Sequence, residues 1–244
     1  MDTTLALCLA ALTVAPGCFS PDFGTMASAD TGGSSGTQSA SGAEPEGSET
    51  ESDDDDIDFL EEFDTDAGLW TFGDDPGTEQ EGPGRWEYRN GDLVQLSDVS
   101  GPDDATPSRG TYAFGGDVDW DAYRVEVSFT ADDDGVVGVL CHAFPNGDYV
   151  RFDLDHETGL AQLVRADAGT FTVLAESLAL TPPVALGVPR VLGLECGADY
   201  RAFVDDTLVL EAPGDISAEG GVGLYASGIG DGPNGLRFHW LEVD

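Results

Sequence analysis

From Ile57 to Asp244 the sequence predicts an all-β chain folded as a two-sheet antiparallel sandwich. Three observations predict it. No segment carries a convincing helical repeat. Apolar residues instead alternate with polar ones in short runs, each punctuated by Gly, Pro, Asn or Asp. Around fourteen such runs fall in about 190 residues, more than the seven to nine strands of an immunoglobulin domain.

The elements follow in order. Ile57–Phe63 interleaves apolar and acidic residues. Arg85–Tyr88 and Asp92–Ser97 are separated by Asn90 and Gly91, and Gly110–Phe114 ends at paired glycines. Tyr123–Thr130 alternates strictly: Tyr123, Val125, Val127 and Phe129 form one face, and Arg124, Glu126 and Ser128 the other. Val136–Ala143 follows an Asp-Gly turn, and Tyr149–Leu154 follows Pro145-Asn146-Gly147. Leu160–Arg165 and Thr170–Ala175 each follow a glycine, and Arg190–Cys196 follows Pro189. Tyr200–Val204 and Thr207–Glu211 flank Asp205 and Asp206. Gly221–Ala226 and Leu236–Val243 close the series.

Within Tyr149–Asp155 the inward set is Val150, Phe152 and Leu154. Tyr149, Arg151, Asp153 and Asp155 form the outward set. An aromatic ring, a guanidinium and a carboxylate in one row form a candidate binding face for a polar ligand, centred on Tyr149, Arg151 and Asp153. The plainer alternative is a solvated face of charged strand residues.

Residues 1–56 lie outside any core. Leu5 to Ala15 is an apolar run of 11 residues, too short to span a bilayer but the length of a signal-peptide core. Pro16-Gly17-Cys18 follows. A small residue before cysteine at this place resembles the lipobox of bacterial lipoproteins, which implies removal of residues 1–17 and lipidation of Cys18. Ala15 stands where that motif usually has Leu, and the MDTT start carries no basic residue. An ordinary secretory signal, cut near Ala15 or Gly17, is the alternative. Residues 18–56 are rich in Gly, Ser, Thr and acids and include the run Asp53–Asp56. Such a segment buries too little apolar surface to offset its ordering entropy, so it reads as an unstructured, self-repelling tether.

Cys8 leaves with the signal and Cys18 takes the lipid, which leaves Cys141 and Cys196. Each is in phase with the inward residues of an apolar run: Val137 and Val139 with Cys141, Leu192 and Leu194 with Cys196. A disulfide is the economical reading for an exported protein, and two buried thiols the alternative.

The formal net charge is −39, and all nine basic residues are arginine. From Ile57 onward 37 Asp and Glu face those nine arginines, so the folded part is itself acidic. This opposes nucleic acid and anionic membranes as partners, leaving a lipid anchor as the membrane contact. It suits divalent cations or a saline habitat.

The strings DFLEEFD, GRWEYRNGDLVQLSD, GTYAFGGDVDWDAYRVEVSF, the DDDG turn, GVLCHAF, GDYVRFDLD, DYRAFVDDTLVLEA, GGVGLYASG and LRFHWLEVD occur in that order. Together they resemble the concanavalin A-like lectin/glucanase jelly-roll superfamily, nearest to laminin-G-like and thrombospondin C-terminal-like modules of bacterial surface proteins. The resemblance covers nearly all of residues 57–244. In the thrombospondin-type modules the DDD turn contributes calcium ligands, which implies Asp132, Asp133 and Asp134 here. Clustered hard oxygens suit Ca²⁺, and Asp117, Asp119 and Asp121 are the nearest further acids. A plain Asp-Gly turn is the alternative.

Family 16 glucanases of this fold carry an E-x-D-x-x-E strand whose alternate acids share a face. The nearest string, Asp153-Leu154-Asp155-His156-Glu157, lacks the first Glu and sets its last acid out of register. His142 and His239 show no Ser or Cys partner. The four tryptophans could stack sugars, though core packing is their commoner use. The expectation is an exported cell-envelope recognition module that binds a glycan or a cell-surface protein, with calcium as a possible cofactor and without catalysis. The alternatives are a glycan hydrolase of the same fold and a purely structural surface domain.

Overall fold

The computed structural model describes residues 59–79, 83–102, 106–178, 185–215, 218–230 and 235–244. The leader (1–17), the tether (18–56) and Cys18 lie outside the described residues.

Fifteen strands are present among the described residues: β1 (Phe59–Glu61), β2 (Thr71–Asp74), β3 (Trp86–Arg89), β4 (Asp92–Gln95), β5 (Thr111–Gly115), β6 (Tyr123–Ala131), β7 (Val136–Ala143) and β8 (Tyr149–Asp155). They continue with β9 (Leu160–Asp167), β10 (Thr170–Leu178), β11 (Arg190–Cys196), β12 (Asp199–Val204), β13 (Thr207–Pro213), β14 (Gly221–Ser227) and β15 (Leu236–Val243). β2 is the one strand that the alternation did not reveal. Its sequence, TFGD, is short and offers no period-2 pattern.

The strands form two antiparallel sheets. One runs β13-β12-β11-β6-β15-β4-β3, with β1 also paired to β15, and the other runs β10-β9-β8-β7-β14-β5-β2. β3 and β4 join through Asn90 and Gly91, both at positive φ (57° and 82°), as a two-residue hairpin turn requires. The architecture is the expected jelly-roll sandwich.

The inward residues of both sheets meet in one core. Val125, Val127 and Phe129 of β6 face it with Phe152 and Leu154 of β8, Leu192 and Leu194 of β11, and Phe238 of β15, all fully buried. Each such side chain contributes about 1.5–3 kcal/mol of burial. Cys141 and Cys196 are bonded across this core, joining β7 of one sheet to β11 of the other.

A second, smaller cluster lies on the opposite face of the seven-stranded sheet. It contains Tyr112, Leu140, Tyr149, Ala166 and Tyr225, with Phe114, Val136 and Phe171 packed against it. Tyr149, Arg151 and Asp153 do share this outer face, but the expectation that it is open is corrected. Tyr149 is 3 %, Arg151 0 % and Asp153 2 % exposed. The chain after β2 and the chain before β5 bring Asp75 and Ser108 onto the face and close it.

Candidate functional site

The covered face holds a buried ionic network. Arg151 donates through Nε to Asp153 Oδ2 (2.7 Å), through one terminal nitrogen to Asp75 Oδ2 (3.3 Å), and through the other to the Ser108 carbonyl (2.6 Å). The Tyr149 hydroxyl donates to Asp75 Oδ1 (2.6 Å), and the Tyr225 hydroxyl lies 3.2 Å from Asp75 Oδ2. The guanidinium also sits 4.0 Å from the Tyr225 ring centre. Burial pushes Asp153 up to about 6, against the opposing pull of Arg151. One cation shared by two buried carboxylates makes this a structural clamp, because every polar group in it already has a partner.

An open pocket lies instead at the end of the sandwich, where the inter-sheet core gives out. Its volume is about 410 Å³, within the usual range for ligand sites. β9 supplies Arg165 and Asp167, alternate residues that share one side of the strand. Phe144 and Asp148 come from the β7–β8 turn, Tyr200 from β12, and Asp215 and Glu219 from the segment before β14.

Two local features set this end. A bulge in β7 opposite β14 puts His142 at φ 47°, a left-handed conformation that costs a non-glycine residue about 1–3 kcal/mol. The bulge turns the imidazole into the pocket wall. Its Nε2 contacts the Asp121 carbonyl at 3.0 Å and must carry the proton there. Burial holds the ring's pKa below its ordinary value, so Nδ1 is an acceptor, and the Tyr200 hydroxyl approaches it at 3.4 Å. Arg165 donates to the same hydroxyl at 3.5 Å. Asp148 braces the rim: its carboxylate accepts from the Ala168 N–H (2.7 Å) and from Asn146 Nδ2 (2.6 Å), tying the β7–β8 and β9–β10 turns together.

Of the sequence-predicted site residues, Tyr149 touches this pocket and also belongs to the clamp, whereas Arg151 and Asp153 lie in the clamp alone. The Asp132–Asp134 turn does not gather a metal-ligand set. Asp132 pairs with Arg237 (3.2 Å), Asp133 Oδ2 accepts from the Gly230 N–H (2.9 Å), and among the described residues no three His, Cys, Asp or Glu converge. Asp133 and Asp134 sit close enough that Asp134 is pushed above the ordinary carboxylate value, chiefly by its contact with Asp133, and Asp133 is lowered. Asp117 and Asp121 cap their own turn through the Asp119 and Ala122 N–H groups.

In the glucanase-like string, Asp155 accepts from Glu157 N, Thr158 N and Thr158 Oγ1, so it caps the β8–β9 turn. With Asp153 buried, the string offers no acid and nucleophile facing a cleft. His239 does have a hydroxyl partner that the sequence did not show: Nδ1 lies 2.7 Å from Asp92 Oδ1 and Nε2 2.8 Å from Thr130 Oγ1. That order matches a nucleophile–base–acid relay, but Thr130 is 3 % exposed and its hydroxyl is closed to a substrate. Trp86 stacks between Phe72 and Phe238, and Trp70 packs on Phe63, both in packing roles.

No protein-family model matches the sequence, and no curated protein matches it. Solved structures do. The carbohydrate binding module CBM66 from Bacillus subtilis is 18 % identical with a TM-score of 0.52, over 70 % of this chain and 92 % of that one. A β-glucanase from Bacillus licheniformis is 14 % identical with a TM-score of 0.48, over 76 % and 97 %. The exoplasmic/lumenal domain of VIP36, in a Ca²⁺/Man3GlcNAc-bound form, is 12 % identical with a TM-score of 0.48, over 72 % and 83 %. At 18 % identity the likeness to CBM66 shows the fold alone: the described residues form a two-sheet antiparallel jelly-roll sandwich.

Proposed function

We propose that the domain is a non-catalytic glycan-recognition module carried at the cell envelope, and that the pocket at the sandwich end is its binding site. The pocket carries this reading. It combines an aromatic ring (Phe144), a guanidinium (Arg165), a buried phenol (Tyr200) and open carboxylates (Asp167, Glu219) in one concavity. Rings and convergent polar groups of this kind suit a polyhydroxylated ligand. Retention of the purified chain on a glycan array or on envelope polysaccharide, lost in Phe144→Ala with an unchanged melting temperature, supports it. Retention by Phe144→Ala equal to wild type removes the pocket from the reading.

The hydrolase of the same fold is the rival. Reducing-sugar release that survives purification and disappears in Asp153→Asn or Glu157→Gln would favour it. The export half of the proposal rests on Gly17-Cys18 after the apolar run. Membrane partitioning with acyl labelling, both abolished in Cys18→Ser, is the expected outcome. A soluble, unlabelled wild-type product leaves secretion alone.

Calcium at the Asp132–Asp134 turn is the finer part of the reading, and the turn must release Asp132 from Arg237 before three carboxylates can meet. A melting shift with Ca²⁺ beyond that given by NaCl at equal ionic strength, lost in Asp133→Asn/Asp134→Asn, supports it. Equal shifts mean screening and remove the metal.

A further inference from the structure

We propose that the end pocket takes an uncharged, polyhydroxylated sugar residue and that Arg165 is the residue that sets this choice. The inference rests on the glycan reading of the same pocket and names its ligand class.

Arg165 is unusual in this chain. Acids outnumber arginines by 48 to 9. Among the described residues seven arginines sit in ion pairs: Arg85, Arg89, Arg124, Arg151, Arg190, Arg201 and Arg237. Arg109 lies over the Phe171 ring and donates to the Pro76 carbonyl. Among the described residues Arg165 has no carboxylate within ion-pair distance, although Asp148, Asp167, Asp215 and Glu219 line the same concavity. Among the described residues its side-chain hydrogen bond is the 3.5 Å approach to the Tyr200 hydroxyl. That hydroxyl is itself fully buried and held by two long contacts, 3.4 Å and 3.5 Å, beyond the usual range for a phenol. A guanidinium and a loosely held phenol are thus left at the edge of a pocket.

The lining then discriminates among ligand charges. An acidic sugar would suit Arg165, but its carboxylate must enter beside Asp167 and Glu219 in a domain that already carries a large negative excess. A protonated amino sugar would suit those acids, but its ammonium is repelled by Arg165 and itself offers that guanidinium no acceptor. A hydroxyl is both donor and acceptor. Adjacent hydroxyls of a neutral sugar can accept from Arg165 while donating to the Tyr200 oxygen and to Asp167 or Glu219, so one uncharged ring meets both sets. Arg165 and Asp167, two positions apart on one side of β9, stand about 6.6 Å apart along the strand, a span that a pair of neighbouring ring hydroxyls can bridge. Half-buried Phe144 offers the apolar surface that a pyranose or furanose ring covers.

The test uses the full chain with Cys18→Ser to keep it in solution. It is titrated by calorimetry and by saturation-transfer NMR with neutral methyl glycosides (gluco, galacto, manno, xylo and fructofuranoside), with glucuronic acid and with glucosamine. The expected result is saturable binding of at least one neutral glycoside, little altered by salt. Arg165→Ala should weaken it about tenfold or more, the loss of one charge-assisted hydrogen bond. Tyr200→Phe, which removes only an oxygen, serves if Arg165→Ala does not fold. Binding of glucuronic acid or glucosamine without any neutral glycoside overturns the ligand class and leaves the pocket as a glycan site. A neutral glycoside held equally by wild type, Arg165→Ala and Tyr200→Phe overturns the assignment to this pocket. A folded chain that binds no sugar of any class overturns the glycan reading itself.

Discussion

Arg151 Nε donates to Asp153 Oδ2 at 2.7 Å, with neither side chain more than 3 % exposed. The two residues sit two apart on β8, so they lean along the same face, and Asp75 reaches the guanidinium from 76 residues earlier. The clamp therefore fixes the covering chain to the sheet.

Removing the cation from this clamp leaves Asp75 and Asp153 buried without a counter-charge. Breaking a buried pair in this way costs about 3–5 kcal/mol. Arg151→Met should lower the melting temperature by about 6–20 °C, at ~2–4 °C per kcal/mol for a domain of this size. Asp153→Asn should be far milder, since its side-chain carbonyl still accepts from Arg151. Thermal scans of the two variants check the contrast, and equal losses would mean that packing rather than charge sets the cost.

The same carboxyl sets a pH dependence. Asp153 is pushed up to about 6 by burial, from an ordinary value of 3.8. Between those values the folded chain keeps a proton that the unfolded chain has released, so this group's contribution to stability falls as pH rises through that window. Below the window both states are protonated, and above it both are ionised. Wild type should therefore lose more stability than Asp153→Asn between about pH 4 and pH 6. Parallel denaturation midpoints for the two proteins across that range would show that Asp153 does not titrate there.

The faces of the strands were legible in the sequence, and their surroundings were not. Alternation in Tyr123–Phe129 and Val150–Leu154 is enough to say which residues line the core, because period 2 is a property of the strand itself. It also places Tyr149, Arg151 and Asp153 together on the other face. Whether that face meets water depends on Asp75 and Ser108, 76 and 43 residues away from Arg151, and no local pattern announces such a cover. The end pocket draws its lining from four separated segments (142–150, 165–167, Tyr200 and 215–219), so no single stretch carries its signature. His142 gave one local hint that only coordinates reveal, its positive φ.

Loss of the Cys141–Cys196 bond frees a loop of 55 residues. In the chain-entropy account that costs about 4 kcal/mol, or about 8–16 °C of melting temperature. A thiol-free reductant should produce this shift once the bond is shown by mass to be open, and Cys141→Ser/Cys196→Ser should reproduce it. His142 follows Cys141 directly, so the proposed sugar binding should weaken in the same sample. Full stability after complete reduction would mean that sheet packing alone holds this end.

Gly220 supports the pocket from behind. Its φ of 145° is one that L residues rarely adopt, and a Cβ there would sit 2.5 Å from the backbone Cα and C of His142. Its carbonyl also accepts from the Tyr123 hydroxyl, whose oxygen in turn accepts from the His142 N–H. Gly220→Ala must therefore displace the His142 bulge as well as strain its own backbone. Gly228 is the matched comparison: its φ is 65°, and a Cβ there meets nothing within 4 Å. Gly228→Ala should cost about 1–2 kcal/mol, the left-handed penalty alone. Gly220→Ala should cost clearly more and should also weaken the proposed sugar binding at a temperature where the chain remains folded. Chemical denaturation gives the two stabilities and calorimetry the binding. A Gly220→Ala chain that is as stable as Gly228→Ala and binds sugar normally would show that the bulge does not position the pocket wall.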